Sequence, residues 1–172
     1  FGAGDGVALT GEDATEAKLE EWNRTGELGR FRYLMFFTHG HLDLREPSLS
    51  AIVLGQLRKA PGTDGYVTAA EFSRYRLQSD LVVLSACNTG VGRFVHGEGV
   101  LGLPYALIQA GNRNTVLTLW SVENESSQRF TKSLFEKLRV DEQAYPDTMD
   151  HRFGAWAGLL ALFRAVHGGC RH

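Results

Sequence analysis

The chain has 172 residues, enough for one domain with a sizeable core. Its net charge of -2 and its 22% of charged residues give no reason to expect nucleic acid or an anionic membrane surface as a partner. No window approaches the roughly 18 uninterrupted apolar residues of a membrane span. The chain starts with Phe1 rather than Met, so we expect a single domain over residues 1–172 that is a fragment of a longer protein.

The two cysteines and the histidines do not form a structural metal or disulfide pattern. Cys87 ends a predicted core strand and Cys170 lies in a Gly-rich tail, so a pairing between them has no support. His39 and His41 are two residues apart, without a cysteine pair or an HExxH motif nearby. We therefore predict a reducing, cytoplasmic location and neither a metal nor another cofactor.

The first part of the chain predicts a β-α-β unit. Residues 7–10 are predicted as a short strand, and Asp13 followed by Glu16 resembles a capping box for an amphipathic helix over residues 14–22. The apolar run at 33–37, YLMFF, is then typical of a buried strand.

Residues 41–80 are less regular. A strand is predicted at 50–54, and Thr68 is expected to cap a short helix to residue 75, with Glu71 completing a capping box.

The second part of the chain continues the alternation of strands and helices. Residues 81–84, LVVL, predict another buried strand, and 114–120 a further one. Helices are predicted over 99–110, ended by Gly111, and over 124–138. This order predicts an α/β fold with a mostly parallel sheet and helices on both faces.

The last part, residues 140–172, gives a weaker pattern. A polar connector is followed by an apolar stretch at 153–166 that is predicted as a docked or partner-facing helix.

Two predicted strands end in chemically reactive residues. The strand at 33–37 runs into Thr38-His39-Gly40, and the strand at 81–84 runs into Ser85-Ala86-Cys87. Parallel strands have their carboxyl ends at one edge of a sheet, where ligands commonly bind. A Cys and a His at that edge form the minimal pair for thiol nucleophile catalysis. Alternatively, Cys87 is a small apolar residue buried in the core, and His39 has a structural role.

Longer stretches resemble one protein family. DLVVLSACNTGVG, followed by GEGVLGLPYALIQAGNRNTVLTLWSV, is similar to the CHAT domain, and so are LTGEDATEAKL and YLMFFTHGHLD upstream. CHAT domains are caspase-like bacterial peptidase domains, often attached to TPR repeats and related to separase within the caspase–gingipain group. The resemblance covers about residues 9–138.

The resemblance implies a cysteine endopeptidase with a caspase-like three-layer α/β sandwich. His39 matches the family's catalytic histidine and Cys87 its nucleophile. The backbone N–H groups of Gly40 and Cys87 match its oxyanion hole. It also implies a protein or peptide substrate and a TPR-type module or regulatory protein as partner.

Acidic residues near this edge are candidates for binding a basic substrate side chain. Glu12 and Asp13 follow the first strand and Asp43 closely follows His39, although Asp13 also suits a helix N-cap. His41 is expected to be turned away from His39 by a turn at Gly40, and His96 to lie on a loop surface.

Two other functions remain open. A non-catalytic caspase-like scaffold is favoured by the C-terminal region, where a strand typical of the family is not recognisable around Trp156-Ala157. The glycines of residues 88–99 suit a phosphate-binding loop, but no GK[ST] motif or dinucleotide fingerprint accompanies them.

Overall fold

The structure is a computed structural model that describes residues 6–57, 59–86, 93–95, 99–118, 124–144 and 158–163. In these ranges the strands are β1 Gly6–Thr10, β2 Phe31–Phe37, β3 His39–His41, β4 Ala51–Val53, β5 Tyr66–Thr68, β6 Leu81–Ser85, β7 Arg93–Val95, β8 Gly99–Leu101, β9 Asn114–Leu117 and β10 Gly158–Phe163. The α-helices there are α1 Glu16–Thr25, α2 Ala69–Phe72, α3 Leu103–Gln109 and α4 Asn124–Ala144. Short 3-10 helices cover Gly11–Asp13, Leu28–Arg30 and Pro47–Leu49. None of the described helices is long and apolar enough to cross a membrane.

The strands form one parallel sheet and two small antiparallel ones. The parallel sheet has the order β1-β10-β2-β6-β9, and every neighbouring pair in it is parallel. Strands β3, β4 and β5 form a second sheet, and β7 pairs with β8. The predicted α/β class with a parallel sheet is confirmed.

The parallel sheet is apolar on both faces. Successive side chains of its central strands belong alternately to two hydrophobic clusters, one on each face. In β2, Leu34 and Phe36 belong to the larger cluster, which also contains side chains of α1, α2 and α3. Tyr33 and Met35 belong to the smaller one, where Phe135 of α4 packs. Helices therefore cover both faces, which is the usual arrangement for parallel strands.

The start of α1 differs from the prediction. Residues 11–13 form a 3-10 helix, and Thr15 is the N-cap, accepting a hydrogen bond from the N–H of Lys18 at 3.2 Å. Asp13 therefore does not cap the helix. By contrast, the capping box of Thr68 and Glu71 at the start of α2 is confirmed.

The region before α3 and the extent of α4 also differ from the prediction. Residues 99–101 pair with β7 as a strand, and helix α3 begins only at Leu103, with Pro104 in its first turn. Helix α4 continues to Ala144, through the first part of the predicted connector.

The largest correction concerns the predicted C-terminal helix. Residues 158–163 form strand β10, which lies between β1 and β2 and pairs with both. The predicted β-α-β unit therefore has a third strand between its two strands. An apolar run of this length suits a buried strand or a buried helix, and periodicity alone does not separate the two.

Glu16 ties the start of α1 to the turn before β5. Its buried carboxylate accepts hydrogen bonds from the N–H groups of Asp64 at 2.9 Å and Gly65 at 2.6 Å. Burial raises the pKa of the Glu16 carboxyl; the two N–H bonds oppose this effect, and the charges of Asp64 and Glu71 reinforce it. The folded protein therefore binds the Glu16 proton more tightly than the unfolded chain does.

Glu16→Gln removes this charge and keeps an oxygen that accepts hydrogen bonds. The contribution of the wild-type carboxyl to stability is complete below its ordinary pKa of 4.5 and decreases as the pH rises through the raised value. As the pH rises from about 4 to 8, we therefore expect the free energy of unfolding of Glu16→Gln to increase relative to that of the wild type. Urea denaturation at several pH values in this range measures the difference. Glu20→Gln, at an exposed position of α1, is the control. A difference for Glu16→Gln that does not change with pH would contradict the expectation.

Gly111 ends α3 as predicted. It has φ +96°, and its N–H donates to the carbonyl of Ile108 at 3.0 Å. The carbonyl of Leu77 is so close that a Cβ on Gly111 would lie 2.3 Å from its oxygen. Gly26 after α1 has φ +79° but no atom within 4 Å of such a Cβ.

These two glycines separate backbone strain from steric overlap. We expect Gly26→Ala to lower the free energy of unfolding by about 1 kcal/mol, from the left-handed conformation alone. Gly111→Ala should cost about 3 kcal/mol, because the Leu77 backbone must also move. Equal losses in chemical denaturation would show that the close approach to Leu77 has no energetic consequence.

Candidate active site

The carboxyl ends of β2 and β6 are neighbours. The two strands pair in parallel with Phe37 opposite Ser85, and the N–H of Thr38 donates to the carbonyl of Ser85 at 3.2 Å. Both strands are buried on both faces, so their ends are held by the core of the protein. The predicted edge at which His39 and Cys87 follow two parallel strands is therefore formed by adjacent strands.

His39 begins strand β3, which leaves the parallel sheet and enters the small antiparallel sheet. Its side chain is half-buried, and it lies opposite Val53 of β4. The strand continues through Gly40 to His41, so the turn expected at Gly40 is absent and that prediction was wrong. Successive side chains of a strand point to opposite faces, so His39 and His41 lie on the same face of β3, with His41 the more exposed.

The hydrogen bonds of β4 alternate between its two neighbours. The N–H of Leu54 donates to the carbonyl of Gly65 at 2.8 Å, and the N–H of Ala69 donates to the carbonyl of Ser50 at 2.7 Å. The backbone N–H and carbonyl groups of the even-numbered residues of β4 therefore point to β5. In an antiparallel ladder the odd-numbered residues then bond towards β3.

This alternation sets the direction of the Gly40 backbone. Gly40 lies opposite Ile52, an even-numbered residue that bonds towards β5. The N–H of Gly40 therefore points away from β4, towards the outer side of β3, which is an edge strand of its sheet. An N–H so directed can donate a hydrogen bond to a bound group.

Cys87 lies outside the described residues, as does His96. The last residue described before Cys87 is Ala86, which is buried and lies directly after β6. The hydroxyl oxygen of Thr118 accepts a hydrogen bond from the N–H of Ala86 at 3.2 Å, and the same hydroxyl donates to the Ala86 carbonyl. The backbone that leads into Cys87 is thus held by a side chain that follows β9.

The predicted acidic residues after β1 lie on the same edge as His39 but are not next to it. Thr10, the last residue of β1, is level with Phe163 of β10, which in turn is level with Phe37 of β2. Two strand spacings of about 4.8 Å separate the ends of β1 and β2 by roughly 10 Å. Glu12 and Asp13 follow β1 and are exposed.

Asp43 is engaged in a turn. Its carboxylate accepts hydrogen bonds from the N–H groups of Arg45 at 2.8 Å and Glu46 at 2.9 Å, and its own N–H donates to the hydroxyl of Ser50 at 3.0 Å. The hydrogen bonds from Glu46 and Arg45 lower the pKa of the Asp43 carboxyl, with smaller effects from the nearby His41 and Arg45 side chains. Asp43 therefore organises the loop after β3.

The family model of the CHAT domain matches residues 1–146. This chain belongs to the CHAT domain family. The match includes both strands that lead to the predicted site, β2 and β6, and the family is related to caspase-like peptidases. Comparisons with curated proteins and with solved structures gave no match.

The CHAT domain also has a groove beside α2 and α3. It measures about 370 Å³ and lies between the 3-10 helix Pro47–Leu49, α2 and α3, with Glu46, Arg74 and Tyr105 in its lining. None of the predicted site residues lines it. Among the described residues, no group of three or more His, Cys, Asp or Glu side chains could hold a metal ion.

Sequence reasoning did not identify Thr38 and Thr118. Thr38 is buried, and its hydroxyl donates to the carbonyl of Val53. Thr118 directly follows β9. The sequence did contain one indication, a threonine near the end of each apolar run. At such a position the hydroxyl can form hydrogen bonds with backbone groups that are no longer paired once the strand has ended.

The turn role of Asp43 can be tested with two substitutions. Asp43→Ala removes both acceptor bonds and should lower the melting temperature at neutral pH, whereas Asp43→Asn keeps an acceptor oxygen and should lower it less. Because the pKa of Asp43 is lowered, its contribution should disappear as the pH falls through its folded value, below the ordinary 3.8. Equal melting temperatures for Asp43→Ala and wild type at neutral pH would leave Asp43 available for a substrate role instead.

Proposed function

We propose that this CHAT domain is a cysteine endopeptidase with a caspase-like three-layer sandwich fold and a dyad of Cys87 and His39. The observation that carries the proposal is the register of β2 and β6. His39 stands two residues after Phe37 and Cys87 two residues after Ser85, and Phe37 and Ser85 are paired. The two chain segments therefore leave neighbouring strands at the same level, about 4.8 Å apart.

The dyad would work as a nucleophile and a base. A free Cys has a pKa near 8.5, so only a small fraction of it is thiolate at neutral pH. His39 takes the proton from Cys87, and the thiolate attacks the carbonyl carbon of a peptide bond. His39 then gives the proton to the leaving amine, and water hydrolyses the thioester that remains.

The oxyanion of the tetrahedral intermediate would be bound by backbone N–H groups of Gly40 and Cys87. The N–H of Gly40 points away from β4, so the hydrogen bonds between β3 and β4 do not use it. The absence of a Cβ on Gly40 also leaves room for the substrate carbonyl. Donors placed in advance at the position of developing charge stabilise it without reorganisation.

The substrate would be a protein or peptide, and a TPR-type module or regulatory protein would control access to it. Glu12, Asp13 and Asp43 are the acidic candidates for a basic substrate side chain, and Asp43 also accepts two backbone hydrogen bonds. A cytoplasmic setting would keep the Cys87 thiol reduced.

The alternative of a non-catalytic scaffold loses its main support. This hypothesis depended on a missing C-terminal strand, whereas β10 lies beside β2 in the parallel sheet. Strand β2 therefore has a partner on each side, β10 and β6, which supports its use as a rigid base for His39.

Thiol labelling tests the proposed dyad directly. We expect Cys87 to react with iodoacetamide below about pH 7, faster than a free thiol, since His39 favours the thiolate. His39→Ala should slow the reaction on the order of tenfold and move its pH midpoint towards about 8.5. Intact-mass spectrometry over about pH 5 to pH 9 gives the rates, and Cys87→Ala identifies the labelled residue.

His41→Ala is the matched control, because His41 shares a face of β3 with His39 and is exposed. It should leave the labelling rate unchanged. If Cys87 in the wild-type protein reacted no faster than a free thiol, or if both histidine variants behaved alike, the dyad would be rejected. A peptide aldehyde that protects Cys87 from labelling would extend the test from the thiol to the peptide site.

A further inference from the structure

Two threonines hold the backbone directly before the residues of the proposed dyad. Thr38 precedes His39, and its N–H and hydroxyl donate to the carbonyls of Ser85 and Val53. Thr118 holds Ala86, the residue before Cys87, through both its N–H and its carbonyl. Each hydroxyl therefore lies at the point where a chain segment leaves the parallel sheet.

The contact of Thr118 replaces a strand hydrogen bond. Strand β9 ends at Leu117, and the N–H of Thr118 still donates to the carbonyl of Leu84 at 3.3 Å. For Ala86, the hydroxyl of Thr118 then supplies both an acceptor and a donor. Of the small side chains only Ser and Thr can do both with one atom, and the branched Cβ of Thr restricts its rotation.

The contact of Thr38 links the two sheets. Through its N–H the residue extends the pairing of β2 with β6, and through its hydroxyl it binds β4 of the antiparallel sheet. Thr38 is 5% exposed, so water does not readily replace these bonds. The direction in which β3 leaves β2, and with it the position of His39, is fixed at this residue.

We propose that the hydroxyls of Thr38 and Thr118 are positioning groups that set the separation of His39 and Cys87 by fixing the ends of β2 and β6. The inference rests on the proposed function, since it assumes that these two residues react together. Displacements of about 1 Å in a catalytic pair can cost two orders of magnitude in rate. In this scheme each threonine acts through the backbone of its neighbour.

The test compares substitutions that remove or keep each hydroxyl. Thr118→Val and Thr38→Val keep the branched shape and remove the donor and acceptor; Thr118→Ser and Thr38→Ser restore the hydroxyl. Thr115→Val is the matched control, because Thr115 lies on β9 and its hydroxyl accepts from the Asn112 side chain at 2.8 Å, near the other end of the strand. The full chain is used, with the iodoacetamide rate of Cys87, its pH midpoint and the melting temperature as readouts.

We expect Thr118→Val and Thr38→Val each to slow alkylation on the order of tenfold and to move the pH midpoint towards about 8.5. The serine variants should recover most of the rate. Thr115→Val should lower the melting temperature without changing the rate or the midpoint, since a loss of stability alone does not alter the thiol of the folded protein. Hydrogen exchange of the Ala86 amide should become faster in Thr118→Val and not in Thr115→Val.

The outcomes separate this inference from the proposed function. A fast wild-type thiol that depends on His39, together with unchanged rates in both valine variants, would overturn the positioning role alone. Equal effects of Thr115→Val and Thr118→Val on the pH midpoint would also overturn it. A slow wild-type thiol would overturn the proposed function and this inference with it. If Thr118→Val does not fold, Thr38→Val decides the question, because it removes a hydroxyl from a different strand end.

Discussion

The parallel pairing of β2 with β6 is the constraint on which the rest of the structure depends. Both strands carry apolar side chains on both faces, so each must have a helix layer above and below it. That requirement places α1, α2 and α3 on one side and α4 on the other. It also brings the ends of the two strands together, because a shift by one residue would exchange the two hydrophobic faces.

Hydrogen bonds then set the direction of the chain at the ends of these strands. Because hydrophobic packing is not directional, it does not determine the direction in which the chain continues after each strand. At β2 the choice is made by Thr38, which bonds to both β6 and β4. At β6 it is made by Thr118, which satisfies both backbone groups of Ala86.

The amino edge of the same sheet has a different character. There Asp80 accepts hydrogen bonds from the side chains of Arg32 and Arg113, and buried Ser79 donates to Asn112 at 2.9 Å. These groups pair with one another and close that end of the sheet. The side chains predicted for chemistry follow the carboxyl ends, where the strands of α/β sheets present their loops.

The sequence by itself determined the α/β class, the approximate positions of β1, β2 and β6, the start of α4, and the candidate residues His39 and Cys87. These features depend on local order along the chain: apolar runs, helical periodicity, and residues placed directly after a strand. The capping box of Thr68 and Glu71 was readable for the same reason, since its partners are three residues apart.

Only the tertiary structure decided the features that depend on distant parts of the chain. The apolar run at 158–163 becomes β10 because it fits between β1 and β2, a choice that its own pattern does not contain. Glu16, which the sequence suggested as the partner of Asp13 in a capping box, instead accepts hydrogen bonds from the turn at Asp64 and Gly65, 48 and 49 residues further along the chain. The roles of Thr38 and Thr118 appear only when three strand ends meet. In each case a hydrogen bond or a buried face joins residues far apart in sequence, and a local pattern carries no information about such a partner.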